Sequence, residues 1–203
     1  KVLEHFKSNE RGQLILPCGA GKSLTSLWIK EEINPETTLV LVPSLALLKQ
    51  IKNDWSRHKN DHFKYICVCS EKDIDKDQQD AVNVHTYEIG GPVTTDPFEV
   101  QTFLKKSGNK VIYSTYQSIG VISDACKLIN GFQISLVICD EAHRTAGSRN
   151  KNTFTLVHDN SKIPPQKRLY MTATPKVVST KLKSRLGEDY ELLCDMSNPD
   201  VYG

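Results

Sequence analysis

Residues 16–23 read Leu-Pro-Cys-Gly-Ala-Gly-Lys-Ser. Glycines at 19 and 21 let a backbone curl so that successive N–H groups point inward, and a helix opening just after them adds its positive end. Lys22 supplies a point charge for β- and γ-phosphates, and the Ser23 hydroxyl is a hard oxygen ligand for Mg²⁺. Cys18, Gly19, Ala20, Gly21, Lys22 and Ser23 are therefore candidate nucleotide contacts. The general pattern G-x-x-x-x-G-K-[ST] wants glycine first, and Leu16 stands there instead. A tight strand-to-helix turn with an exposed lysine also fits these residues.

A phosphate loop needs a carboxylate-bearing strand elsewhere to hold the metal and position water. Residues 135–139, Ser-Leu-Val-Ile-Cys, run straight into Asp140-Glu141-Ala142-His143. In an open α/β sheet, ligands bind at the carboxyl ends of the strands. Asp140 there would bind Mg²⁺ directly or through water, and Glu141 would orient and deprotonate the attacking water. Taken alone, Asp-Glu after an apolar strand also fits a solvated turn with a helix cap. A third apolar run, Arg168-Leu-Tyr-Met-Thr-Ala-Thr174, ends in two hydroxyls before Pro175. Threonine is common in strands, so this run says little by itself.

Strands and helices must alternate to place these groups on one edge, and the sequence supplies that rhythm. Short, nearly continuous apolar runs at 13–17, 38–43, 65–70, 111–116, 135–140 and 168–174 read as strands buried on both faces. Between them lie helical stretches. Leu24, Leu27 and Trp28 line one that ends before Asn34-Pro35; Ser44 caps a second with Leu45, Leu48, Ile51 and Trp55 on its buried face. Asp96, Pro97 and Glu99 open a third over Phe98–Lys106. These features predict an α/β domain with a mainly parallel sheet and helices on both faces. Residues 71–80 are charged and acidic, and read as a surface loop running on to Gly90-Gly91-Pro92.

Bulk properties exclude more than they assign. The 203 residues suffice for one well-buried domain, and a formal net charge of +2 marks neither a nucleic-acid nor a membrane binder as a whole. No apolar run reaches membrane-spanning length, and no secretory signal opens the chain. The six cysteines include no C-x-x-C pair, which reads as reduced thiols in a cytoplasmic protein. The chain begins without Met, inside an apparent helix, and is expected to be part of a longer protein.

Gly-Ala-Gly-Lys-Ser, Asp-Glu-Ala-His and Thr-Ala-Thr, in this order, resemble the first RecA-like motor domain of superfamily 2 DEAH-type helicases and translocases. That family commonly writes its phosphate loop without the first glycine. Leu-Val-Pro-Ser-Leu-Ala-Leu-Leu-Lys-Gln (41–50) and Ser-Thr-Tyr-Gln-Ser-Ile-Gly-Val-Ile (114–122) resemble two further motifs. The flanks of the DEAH and TAT motifs resemble helicase domains of restriction-modification ATPases and related bacterial or phage helicases. The resemblance covers almost the entire chain. It implies a P-loop NTPase fold over residues 1–203, ATP and Mg²⁺ as cofactors, and Lys22, Asp140, Glu141 and His143 as catalytic residues. Ser23 and Asp140 would hold the metal, and His143 would lie between the ATP and nucleic-acid sides. Thr172, Ala173 and Thr174 would couple hydrolysis to movement. Pro43, Ser44, Thr115, Tyr116 and Gln117 would touch a nucleic-acid backbone, although capping and turn formation explain the same residue types. Residues 160–187 contain no acid but hold Lys162, Lys167, Arg168, Lys176, Lys181, Lys183 and Arg185, a run that attracts polyanions or merely forms a solvated face.

The resemblance also implies a second RecA-like domain, outside this chain, whose arginines complete the site. The isolated 203 residues are accordingly expected to bind nucleotide weakly and to hydrolyse it slowly or not at all. The partner so implied is nucleic acid, DNA before RNA, with no membrane. Motion along the strand is the first reading; an ATP-gated nucleic-acid-binding switch without unwinding or translocation is the second. A phosphate-loop kinase or GTPase is disfavoured, since no Asn-Lys-x-Asp guanine reader is present. Cys18, beside a helix N-terminus and Lys22, is a candidate for modification that blocks nucleotide; an inert loop residue is the plainer alternative.

Overall fold

The computed structural model describes residues 1–71, 84–148, 153–179 and 193–203. Its centre is a seven-stranded parallel sheet of β1 (Arg11–Ile15), β2 (Thr37–Val42), β3 (Lys64–Val68), β4 (Val93–Thr94), β5 (Lys110–Thr115), β6 (Ile134–Cys139) and β8 (Pro165–Thr172). The spatial order is β1-β8-β6-β2-β5-β3-β4. A two-residue antiparallel pair, β7 (Gly147–Ser148) with β9 (Leu193–Cys194), stands apart from it. Among the described residues the α-helices are α1 (Val2–His5), α2 (Lys22–Ile33), α3 (Leu45–His58), α4 (Pro97–Leu104), α5 (Ile119–Lys127) and α6 (Pro199–Tyr202).

Alternation along the buried strands decides which layer each side chain joins. On β2, Leu39 and Leu41 enter a core shared with α4, α5 and α6, while Val40 and Val42 enter one shared with α2 and α3. Both faces are thus covered, which is why these strands read as unbroken apolar runs. Leu27, Leu39, Val40, Leu41 and Trp55 are fully buried; each such side chain contributes about 1.5–3 kcal/mol by leaving water.

Helix starts follow local chemistry. The Ser44 hydroxyl accepts from Leu47 N at 3.4 Å and caps α3, and Asp96 Oδ1 accepts from Phe98 N at 2.9 Å before Pro97 opens α4. α2 ends in left-handed Asn34 (φ 47°).

All six expected strands are present, with shifted ends. β1 begins at Arg11 because it is the sheet's edge, where polar side chains are tolerated. β8 ends at Thr172, so Ala173 and Thr174 lie in the turn beyond it, where Thr174 N donates to Thr172 Oγ1 at 3.2 Å. Trp28 corrects the expected helix face. It lies about 100° round α2 from Leu27 and is 54% exposed, while Ser26, Leu27, Ile29 and Lys30 face inward. α4 stops at Leu104, short of the two lysines that follow. Most of the acidic loop expected at 71–80 lies outside the described residues.

Candidate nucleotide site

Three loops meet at the carboxyl edge of β1, β8 and β6. The first joins β1 to α2. Gly19 (φ 77°) and Gly21 (φ 79°) are both left-handed, and a Cβ added at either would meet nothing within 4 Å. Glycine is therefore needed here for its backbone conformation, and the space beside it stays open for a ligand to approach. The Lys22 ammonium lies 4.0 Å from Glu141 Oε1.

The second loop follows β6. Asp140 N donates to Leu41 O at 2.9 Å, fixing its backbone against β2. Glu141 is itself left-handed (φ 46°), an uncommon state for a residue with a side chain. Its N–H donates to Asp140 Oδ1 at 2.9 Å. Burial, reinforced by the Glu141 charge, pushes the Asp140 carboxyl up to about 6 even though that hydrogen bond and Lys22 oppose the shift. A 3-10 turn over Ala142–Thr145 then presents His143.

The third loop leaves β8, which sits between β1 and β6. Thr172 O accepts from Leu16 N at 3.1 Å, and Thr172 Oγ1 lies 3.0 Å from His143 Nδ1. That same Nδ1 is 3.3 Å from Glu141 Oε2. Burial lowers the His143 pKa, with Arg144, Lys176 and Lys22 adding to it against Glu141. In the tautomer that carries its proton on Nδ1, the ring would donate towards Thr172 and Glu141.

The sequence-derived residues Lys22, Asp140, Glu141, His143 and Thr172 thus converge on one edge. Ser23 stands differently: its hydroxyl donates to Asp54 Oδ2 on α3 at 3.1 Å, and its carbonyl accepts from Trp55 Nε1 at 3.0 Å. Neither contact was foreseen, because Trp55 fits a purely apolar helix face and Asp54 carries no motif. Cys18 is exposed, whereas the other five cysteines are buried.

The five residues expected to meet nucleic acid divide. Pro43, Ser44, Thr115 and Tyr116 are buried, and Gln117 is exposed. Ser44 acts as a helix cap. Gln117 Nε2 donates to Pro43 O at 3.1 Å, joining the two loops. The Tyr116 hydroxyl donates to Asp140 O at 2.8 Å, and its ring stacks on Phe154 at 4.8 Å. Tyr116 therefore braces the acidic loop from below, a role that its type and position alone did not announce.

The basic stretch is also divided. Arg168 is fully buried, Lys167 donates to Phe6 O, and Lys176 is exposed. Lys181, Lys183 and Arg185 lie outside the described residues.

Residues 1–177 match the family model of ResIII, the type III restriction enzyme res subunit. The chain belongs to this family. Among solved structures, this ResIII chain is similar to a nuclease-deletion mutant of the type ISP restriction-modification enzyme LlaGI in complex with a DNA substrate mimic. There it is 34% identical with a TM-score of 0.71, covering 100% of this chain and 18% of that one. For the ATP-dependent type ISP enzyme LlaBIII bound to DNA, the values are 36% and 0.72, covering 86% of this chain and 12% of that one. The Hef helicase domain of Pyrococcus furiosus, 20% identical with a TM-score of 0.56 over 98% of this chain and 38% of its own, shares the fold. A probable helicase of African swine fever virus (isolate Tick/Malawi/Lil 20-1/1983) is 24% identical over 98% of this chain. This chain spans about a fifth of that relative's length. The fold is that of a RecA-like helicase domain. Among the described residues, no helix is long and apolar enough to cross a membrane.

The family implies nucleotide and, with it, Mg²⁺. The residues present fit both. The loop is open at Gly19 and Gly21, and Ser23 and Asp140 offer hard oxygens. Burial raises the Asp140 carboxyl, and a divalent cation bound there would favour its ionised form.

Proposed function

We propose that this chain is the nucleotide-binding half of an ATP-driven motor acting on nucleic acid. The observation that carries the reading is the convergence of Lys22, Glu141, His143 and Thr172 within contact distances on one sheet edge. Bound ATP–Mg²⁺ would supply the reacting phosphate and the charge that polarises it. Gly19, Gly21 and Lys22 hold the phosphates, and Ser23 and Asp140 hold the metal. Glu141, 4.0 Å from the Lys22 ammonium, orients the attacking water and takes its proton. His143 and Thr172 carry the state of that site to the strand ends. A second RecA-like domain elsewhere in the full protein closes over the nucleotide and supplies arginines. DNA is the preferred partner, since the LlaGI and LlaBIII structures similar to this chain hold a DNA substrate mimic and DNA respectively.

The test is ATP hydrolysis by the full-length protein with and without duplex DNA, single-stranded DNA and RNA, in wild type and Glu141→Gln. Stimulation by DNA, lost in Glu141→Gln with nucleotide binding retained, is expected. Hydrolysis indifferent to every nucleic acid would refute the reading. Strand-displacement and translocation assays then separate a moving motor from an ATP-gated clamp.

A further inference from the structure

A second cluster of cations lies at the opposite end of β1, about 16 Å along the strand from the phosphate loop. Arg11 and Arg168 are register neighbours on β1 and β8. Arg168 is fully buried and Arg11 half-buried. Both donate to one neutral oxygen, Asn160 Oδ1, from Arg11 Nη2 at 3.1 Å and from Arg168 Nη1 and Nη2 at 3.3 Å. Each also donates to a carbonyl, Arg11 to Val201 O at 2.7 Å and Arg168 to Ile163 O at 3.3 Å, and the Tyr170 hydroxyl hydrogen-bonds with both. Arg168 Nε is buried without a partner. Among the described residues, neither guanidinium forms a salt bridge. A buried and a half-buried cation side by side, held by neutral oxygens, with the Glu10 charge near Arg11 but no ion pair, leave much of their positive charge uncompensated.

That charge faces a cavity of about 640 Å³, lined by Arg11, Lys162, His158, Asn160, Thr155 and Asp159 among others. The carboxylate in its lining, Asp159, is held in its own turn by Ser161 N at 2.9 Å and Ser161 Oγ at 2.6 Å, and its charge near Lys162 offsets part of the positive charge there. Burial holds Arg11 below its ordinary value, with the Arg168 charge adding to it against Tyr170 and Glu10.

We propose that this cavity binds an oxyanion, a phosphate or carboxylate group, through Arg11 and Lys162, with Arg168 adding charge from behind. A planar guanidinium suits such a group because its N–H fork matches two oxygens at once. The proposal does not depend on the ATPase reading, because none of its residues touches the phosphate-loop edge.

The test is thermal unfolding of this chain in a Lys22→Ala background, which removes the phosphate loop's own affinity. Sodium phosphate is titrated against sodium chloride at matched ionic strength. A saturable rise in Tm specific to phosphate is expected, with its apparent Kd weakened at least tenfold by Arg11→Gln and several-fold by Lys162→Gln. No rise beyond chloride, or an equal rise in both variants, would overturn the proposal. Should Arg11→Gln not fold, the Lys162→Gln comparison decides alone. Succinate in place of phosphate reports a carboxylate ligand. Competition by a short DNA duplex assigns the phosphate to a nucleic-acid backbone, and its absence assigns it to a free small anion; both presuppose the saturable response.

Discussion

Asp140→Asn isolates what the site costs the empty protein. The Asp140 carboxyl is pushed from 3.8 up to about 6 by burial and by the Glu141 charge. A carboxyl raised in the folded state binds its proton more tightly there than in the unfolded chain, so stability falls as pH rises from the unfolded pKa through the folded one. A shift from 3.8 to about 6 corresponds to about 3 kcal/mol over the full titration, roughly half of it between pH 5 and pH 8. Asparagine carries no charge and keeps an oxygen to accept from Glu141 N, so the variant escapes this loss. In EDTA and without nucleotide, urea denaturation should show Asp140→Asn more stable than wild type at pH 8 and close to it at pH 4. The stabilisation should be largest in metal-free buffer, because a bound cation relieves the wild-type penalty. A variant destabilised equally at both pH values would refute the reasoning, since the ionised carboxylate would then not be the strained species.

Three more outcomes follow from other parts of the edge. Gly21→Ala keeps its Cβ clear of neighbours but must hold φ at 79°, costing about 1–2 kcal/mol in calorimetry; fluorescent ATP-analogue binding should fall more steeply than stability does, as the N–H groups lose their aim. Tyr116→Phe removes the donor to Asp140 O, costs about 1–2 kcal/mol, and should lower nucleic-acid-stimulated hydrolysis in the full protein more than nucleotide affinity. Equal losses in both would mean that Tyr116 only packs. Under native conditions a thiol reagent should label Cys18 quickly and the five buried cysteines slowly, Cys126 and Cys139 being held at about 12 by burial. Protection by ATP with Mg²⁺ would place Cys18 at the nucleotide, and unchanged labelling would leave it an inert loop residue.

Motifs and strands were legible in the sequence for a common physical reason. A phosphate loop, an acidic strand end and doubly buried strands each impose a local pattern, so Lys22, Asp140 and the runs around Leu39 and Val137 announce themselves. What escaped notice depends on contacts across the fold. Asp54 reaches Ser23 from 31 residues away, and Tyr116 reaches Asp140 from 24. A polar atom's long-range partner leaves no periodic trace. Trp28 was misplaced because apolar character alone put it on a buried face that the turn of α2 denies it. The basic stretch misled similarly, since a count of lysines and arginines does not say that Arg168 is inside.

On the proposed reading, the strand order gives the third motif its place in coupling. β8 separates the phosphate-loop strand from the acidic strand, so the two cannot signal through a shared ladder. Thr172 bridges them instead. Its carbonyl accepts from Leu16 at the root of the phosphate loop, and its hydroxyl meets His143 and accepts from Thr174 N in the following turn. Leu16, where a general phosphate loop has glycine, is thus tied to the sheet by its own N–H before the loop curls. Movement of the loop against nucleotide would reach β8 through that rung, and a change at Glu141 would reach it through the imidazole. Thr172→Val keeps the carbonyl and removes the hydroxyl. It should leave ATP-analogue affinity within about twofold while reducing stimulated hydrolysis at least tenfold. A parallel loss of affinity would place the coupling in the strand backbone rather than in the hydroxyl.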